Sequence, residues 1–323
     1  MKLAYLPAVM LLTVTAYAGE NKAALTSVQS MSGEIRQEAL YSGGKAEADS
    51  ISKVSAMYKA VPGNLYSFRP EMVVAAALTD KDIKDIVPYA EKARYNREYN
   101  PYYALPILAN TGSSFDSLKA MVRSMSWSPS QDTRAKIALT ATQLDLPSDL
   151  RDLYRRARAI TDPEKALFAL LTAKGADMDY LNYTYRHLKY TTNPAHTILV
   201  MHLTSSSPDE MNHLNRDLNG HDAGFDRSQM LYVCAKTGKT PRQLQEMRRR
   251  LYGFQAPAEG RVALMAALTG ESIDSIQAKR QSLFGKVPSR DFEAMLFASM
   301  MIDASEDVRK DIIEYLVLAQ LAN

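Results

Sequence analysis

One apolar position recurs through this chain at a nearly constant interval. Ile86, Leu118, Leu150, Leu181, Met211, Leu244, Ile276 and Val308 follow one another at steps of 32, 32, 31, 30, 33, 32 and 32 residues. That interval holds two short helices and their turns. One such hairpin cannot bury both of its helices, so the units must stack. The same local signals return around each anchor. Four residues before it stand Asp82, Ser114, Asp177, Ser207, Thr240 and Ser272, which can accept from an orphan N–H of a first helical turn. Pro147, Pro208 and Pro241 come next in three units, at the first helical position, where proline loses no hydrogen bond. Nine residues after the anchor, Gly220, Gly253 and Gly285 fit a left-handed helix stop. Nine before it, the first helix carries Ala77, Ala109, Ala141, Thr172, His202, Ala235, Ala267 and Ser299. Small residues there let the two helices of a hairpin approach closely.

These signals predict an all-α fold: a right-handed α-solenoid of about eight helix-turn-helix repeats of roughly 32 residues, stacked as an open array. Second helices are expected near 83–95, 115–126, 147–159, 178–189, 208–219, 241–252, 273–284 and 305–319. Over residues 50 to 323 the chain resembles the helical-hairpin solenoid class, without the Trp-Leu-Gly-Tyr pattern of tetratricopeptide units and with units shorter than HEAT or armadillo repeats. The resemblance implies a scaffold or binding surface and carries over no functional residue.

The chain begins MKLAYLPAVMLLTVTAYA, one lysine before an apolar run that ends in Ala16-Tyr17-Ala18. This pattern predicts a signal peptide over 1–18, cleaved after Ala18, and an exported protein, periplasmic or secreted, of bacterial type. The apolar run is shorter than a membrane span needs, so an integral membrane protein is not expected. Residues 19–65 read as a leader followed by a degenerate capping unit, and 66–323 as the repeat domain. Val54 stands 32 residues before Ile86, and with Ser50, Ile51, Met57 and Val61 it repeats the second-helix pattern. Val28, Ile35 and Leu40 would supply the partner helix. At the other end, EYLVLAQLAN lacks a glycine stop. Its helix is expected to close the stack, leaving apolar surface on Leu316, Leu318 and Leu321.

Without Lys2 the remaining chain carries 38 basic and 36 acidic residues, so any charge-driven partner must meet a local patch. Cys234 is the only cysteine, which excludes an intramolecular disulfide. It reads as a buried inert thiol, with a reactive thiol as the alternative. No metal motif, nucleophile elbow, phosphate loop or dinucleotide fingerprint is present. No catalytic residue, cofactor or metal site is therefore expected, and no nucleic-acid partner. Pro88 and Pro106 fall inside helices and flank a junction crowded by Tyr95, Tyr99, Tyr102 and Tyr103, an aromatic joint or a stacking platform.

His202 fills a position held elsewhere by Ala, Thr or Ser, so either its hairpin splays or the imidazole points into a cleft. Arg123, Arg155, Arg186, Arg216 and Arg249 stand five residues after the anchor in five consecutive units, flanked by Arg156, Arg248 and Arg250. That position lies about 140° from the anchor, away from the buried stripe. The row is either a solvated face or a site for an anionic partner. Two functions follow as expectations for a non-enzymatic protein. One is a scaffold that binds a protein partner of the envelope or extracellular space. The other is a binder of an anionic glycan, lipid head group or peptidoglycan through this arginine ladder.

Overall fold

The structure, a computed structural model, describes residues 49–125, 130–147, 150–157, 162–254 and 258–322. The expected export signal, the helix at Val28, Ile35 and Leu40, and the cleavage point after Ala18 lie outside the described residues. From Ser50 onward the chain forms one unit.

All regular structure among the described residues is helical. Helix α1 covers 49 to 60. The first helices of the eight repeats are α2 (Arg69–Thr79), α4 (Pro101–Thr111), α6 (Gln131–Gln143), α8 (Asp162–Ala173), α10 (Pro194–Thr204), α12 (Arg227–Thr237), α14 (Ala258–Thr269) and α16 (Phe292–Met301). The second helices are α3 (Ile83–Ala93), α5 (Phe115–Ser124), α7 (Arg151–Arg156), α9 (Met178–His187), α11 (Pro208–Leu218), α13 (Pro241–Arg250), α15 (Ile273–Leu283) and α17 (Glu306–Ala322). Seven of the eight anchors are fully buried, and Val308 is half-buried. The Ser114, Asp177, Ser207, Thr240 and Ser272 side chains each accept from a first-turn N–H. Ser207 and Thr240 complete capping boxes with Glu210 and Gln243. Asp82 makes no cap and pairs instead with Lys84 at 3.0 Å. Helix α7 is the shortest: Pro147, expected at its first helical position, lies outside it, and it ends at Ala157 in extended backbone.

The repeats do not end where an open array would. Each first helix packs on the first helix of the next unit, and α16 then packs on α2, so the inner layer closes into a circuit. The second helices from α3 to α15 sit outside, each against the first helix of the following unit. The degenerate amino-terminal unit completes this outer layer. Tyr58 on α1 donates to Asp291 at 2.6 Å, just before α16, and Lys53 pairs with Asp303 at 3.6 Å, just beyond its end. Helix α1 thus runs antiparallel to α16, as a second helix must, with Val54 and Val61 buried at the anchor position and seven residues after it. The expected open array is corrected to a closed ring.

The last helix explains why α1 is needed there. Helix α17 follows α16 in sequence but lies in the centre, packed on α2, α4, α6, α12 and α14. Residues Ile312, Ile313 and Tyr315 through Gln320 are all buried, so this helix is covered on every side. Leu316 and Leu318 are 2% and 0% exposed, which corrects the expected apolar end surface. Polar locks fix the central helix at several levels. Tyr232 and Lys236 of α12 reach Glu314 at 2.9 and 3.1 Å, Tyr315 donates to Gln229 at 2.6 Å, and Gln320 donates to Thr140 of α6 at 3.0 Å.

Candidate functional site

The direction of the helices sorts charge between the two faces of the ring. Outer helices carry acids in their first turns, among them Asp85, Asp116, Asp152, Asp179, Asp209 and Asp274. Their last turns carry Lys92, Arg123, Arg155, Arg186, Arg216, Arg249 and Arg280. Each placement complements the helix dipole. Repeated around a ring, it weights one rim towards acids and the other towards bases, with exceptions at Arg242, in the first turn of α13, and Asp217, in the last turn of α11. Four exposed aromatics follow the outer helices on the basic rim: Tyr95, Tyr190, Tyr252 and Phe284. Tyr95, in the tyrosine-rich junction, is 81% exposed, whereas Tyr99 is buried and packs edge-on against Phe115.

All five ladder arginines lie on this rim and are exposed. Among the described residues the one carboxylate near Arg155 is Asp152 of its own helix, at 3.8 Å, and the one near Arg216 is the adjacent Asp217, at 3.7 Å, while Arg216 also donates to His213 one turn earlier at 3.0 Å. Among the described residues Arg123, Arg186 and Arg249 have no carboxylate partner, and no ladder arginine meets an acid from a neighbouring unit. Arg248 is different. It donates to the Ala223 carbonyl at 2.6 Å, lies over the Phe225 ring, and pairs with Glu259 at 3.5 Å. Arg280, one repeat later, copies this with the Gly253 carbonyl at 2.8 Å and Phe254. Such arginines staple adjoining units, whereas the ladder keeps its donors outward. Consecutive outer helices scarcely touch, α3 and α5 excepted. Inter-helix packing of roughly 8–10 Å therefore describes the inner layer, and the ladder follows a wider arc.

His202 is half-buried on α10, and burial pushes its pKa down, with Lys174 lowering it further and Glu314 of the central helix opposing. The imidazole thus stands within electrostatic reach of α17. Cys234 is buried and its thiol is pushed up to about 12 by burial alone, which makes it inert.

A cavity of about 760 Å³ opens at the same end of the ring as the basic rim, where the inner helices begin. Its polar wall comes largely from one repeat position, fifteen residues before the anchor: Glu71, Tyr103, Gln229, Arg261 and Glu293. Arg261 and Glu293, from adjoining units, form a bidentate pair at 2.6 and 2.8 Å. Gly260 lets α14 approach the preceding loop, since a Cβ there would lie 2.1 Å from the Gly224 carbonyl oxygen. Glu71 keeps one buried oxygen without a hydrogen-bond partner. Burial raises its pKa, Asp291 adds to the rise, and Arg290 opposes it. Sequence reasoning missed this site. The signal was present in the repeat, because polar or aromatic residues replace alanine at that one position in most units.

Among the described residues no group of metal-ligating side chains is found, and no helix is long and apolar enough to cross a membrane. No protein family, curated protein or solved structure matches the chain.

Proposed function

We propose that this protein acts by binding, and that its partner is an anionic glycan held along the basic rim. The observation that carries the reading is that Arg123, Arg186 and Arg249 have no carboxylate partner among the described residues, while Arg155 and Arg216 meet only groups of their own helices: Asp152, and Asp217 with His213. A guanidinium free of carboxylates can hold a carboxylate or phosphate through two parallel bonds. Tyr190, Tyr252 and Phe284 on the same rim add flat faces for sugar rings. The export signal read at the amino terminus supports a periplasmic or secreted setting. A protein scaffold acting through its helical-repeat surface is the other expectation, and α17 covers the inner face of that surface. With α17 packed inside a closed ring, the geometry favours the glycan.

The test uses polygalacturonate as a linear polycarboxylate and dextran as its neutral counterpart. Binding to polygalacturonate should weaken strongly from about 0.1 M to about 1 M NaCl, as the screening length falls from roughly 10 to roughly 3 Å. Changing Arg155, Arg186 and Arg216 together to Gln should abolish it while leaving the thermal midpoint nearly unaltered. Equal binding of dextran, or undiminished binding by the triple variant, overturns the reading. Such a result would return the search to a protein partner.

A further inference from the structure

We infer that the central cavity is a separate binding site, and that it takes a neutral saccharide of about disaccharide size. Its volume of about 760 Å³ falls within the range of roughly 300–1,000 Å³ usual for small-molecule sites. The lining has the chemistry a sugar requires. Tyr102, Tyr103 and Phe225 contribute flat rings for the C–H faces of a pyranose, and the Arg261–Glu293 fork presents donors and acceptors for vicinal hydroxyls.

The balance of charge argues against an ionic ligand. Glu293 is neutralised by Arg261, and Arg290 pairs with Asp291 at 3.4 Å. Asp226 caps α12 by accepting from the Gln229 N–H at 2.9 Å. The group with an unmet bond is Glu71, whose buried oxygen lies in the wall with no partner. A buried polar atom left alone costs about 1–3 kcal/mol, and a sugar hydroxyl would satisfy it without bringing in a charge. An organic cation would also meet Glu71. It would, however, sit beside the starts of α2, α4, α12, α14 and α16, whose positive dipole ends repel it. This inference stands on the cavity and does not need the rim reading.

The full-length chain is titrated with maltose, cellobiose and N,N′-diacetylchitobiose, each at millimolar concentration, by saturation-transfer NMR and calorimetry. At least one should bind, with an affinity unchanged across the salt range that strips polygalacturonate from the rim. Glu71→Gln should weaken it at least about tenfold, or roughly 1.4 kcal/mol. Tyr103→Leu should do the same through the wall instead of the carboxyl. The triple Arg155→Gln, Arg186→Gln, Arg216→Gln variant should bind the disaccharide as the parent does. Absence of binding for all three sugars overturns the inference, as does unchanged affinity in both cavity variants. Failure of the parent protein to bind polygalacturonate, with disaccharide binding retained, would fault only the rim.

Discussion

Leu318→Ala distinguishes a central last helix from a terminal one by magnitude. Leu318 is 0% exposed and belongs to a stretch of α17 buried on all sides. Truncating such a leucine costs about 2–5 kcal/mol, from lost transfer free energy and the cavity left behind. For a domain of this size, about 2 °C of thermal midpoint is lost per kcal/mol, so the midpoint should fall by roughly 4–10 °C. At the end of an open array the same residue would face solvent on one side, and the change would cost within about 0.5 kcal/mol. Urea unfolding followed by circular dichroism measures the difference. Leu321→Ala, at a half-buried position, is the internal control and should cost less. A closed circuit has no free end to fray, so both proteins should unfold in one transition. A loss at Leu318 below about 1 kcal/mol, or progressive melting from one end, would refute the packing argument.

Two further predictions concern pH. Glu71 has a raised pKa in the fold, so its protonated form suits the folded state. The stability linked to it is present below the ordinary glutamate range and lost as pH rises through the folded value. Glu71→Gln should therefore raise the midpoint at neutral pH, and this gain should vanish in acid. His196 and His202 both have lowered pKa values, for which burial is the first cause. Asp226 and Glu164 oppose the shift at His196, and Glu314 opposes it at His202. The unfolded chain then takes up protons near pH 6.5 while the fold does not, so stability should fall as pH drops below that value. His202→Gln should remove part of that fall, and an identical pH profile for parent and variant would count against the assignment.

The repeat itself was legible because caps, anchors and small positions are local. Ser207 and Thr240 carry their cap signals within a few residues, and the second helices from α9 to α15 lie within two residues of their expected bounds. Ring closure was not legible, because it depends on partners at opposite ends of the chain. The pattern at Val54 identified a second helix but not that its first helix would be α16. Nor did the missing glycine stop after Leu316 and Leu318 reveal that α17 turns inward. Both helices read as chain ends, and only their mutual exchange of places makes them neighbours of the same ring. The arginine ladder was found from spacing, yet Arg248 and Arg280 show that one residue's difference in register turns a guanidinium from solvent to a neighbouring loop. The cavity needed closure as well, since Glu71 and Glu293 share a wall only when the first and last units meet.

The closed ring underlies both proposed sites, and one distance tests it. Lys53 and Asp303 pair at 3.6 Å across the seam between α1 and α16, and both are accessible enough to carry spin labels. The exposed ion pair contributes little, so replacing both residues by cysteine should leave the fold intact. Buried Cys234, its thiol pushed up to about 12, should stay unlabelled. Double electron–electron resonance between labels at 53 and 303 should give a single distance near the short limit of the method. An open array of eight hairpins stacked at about 9 Å would place them on the order of 70 Å apart, and that result would contradict the closed ring.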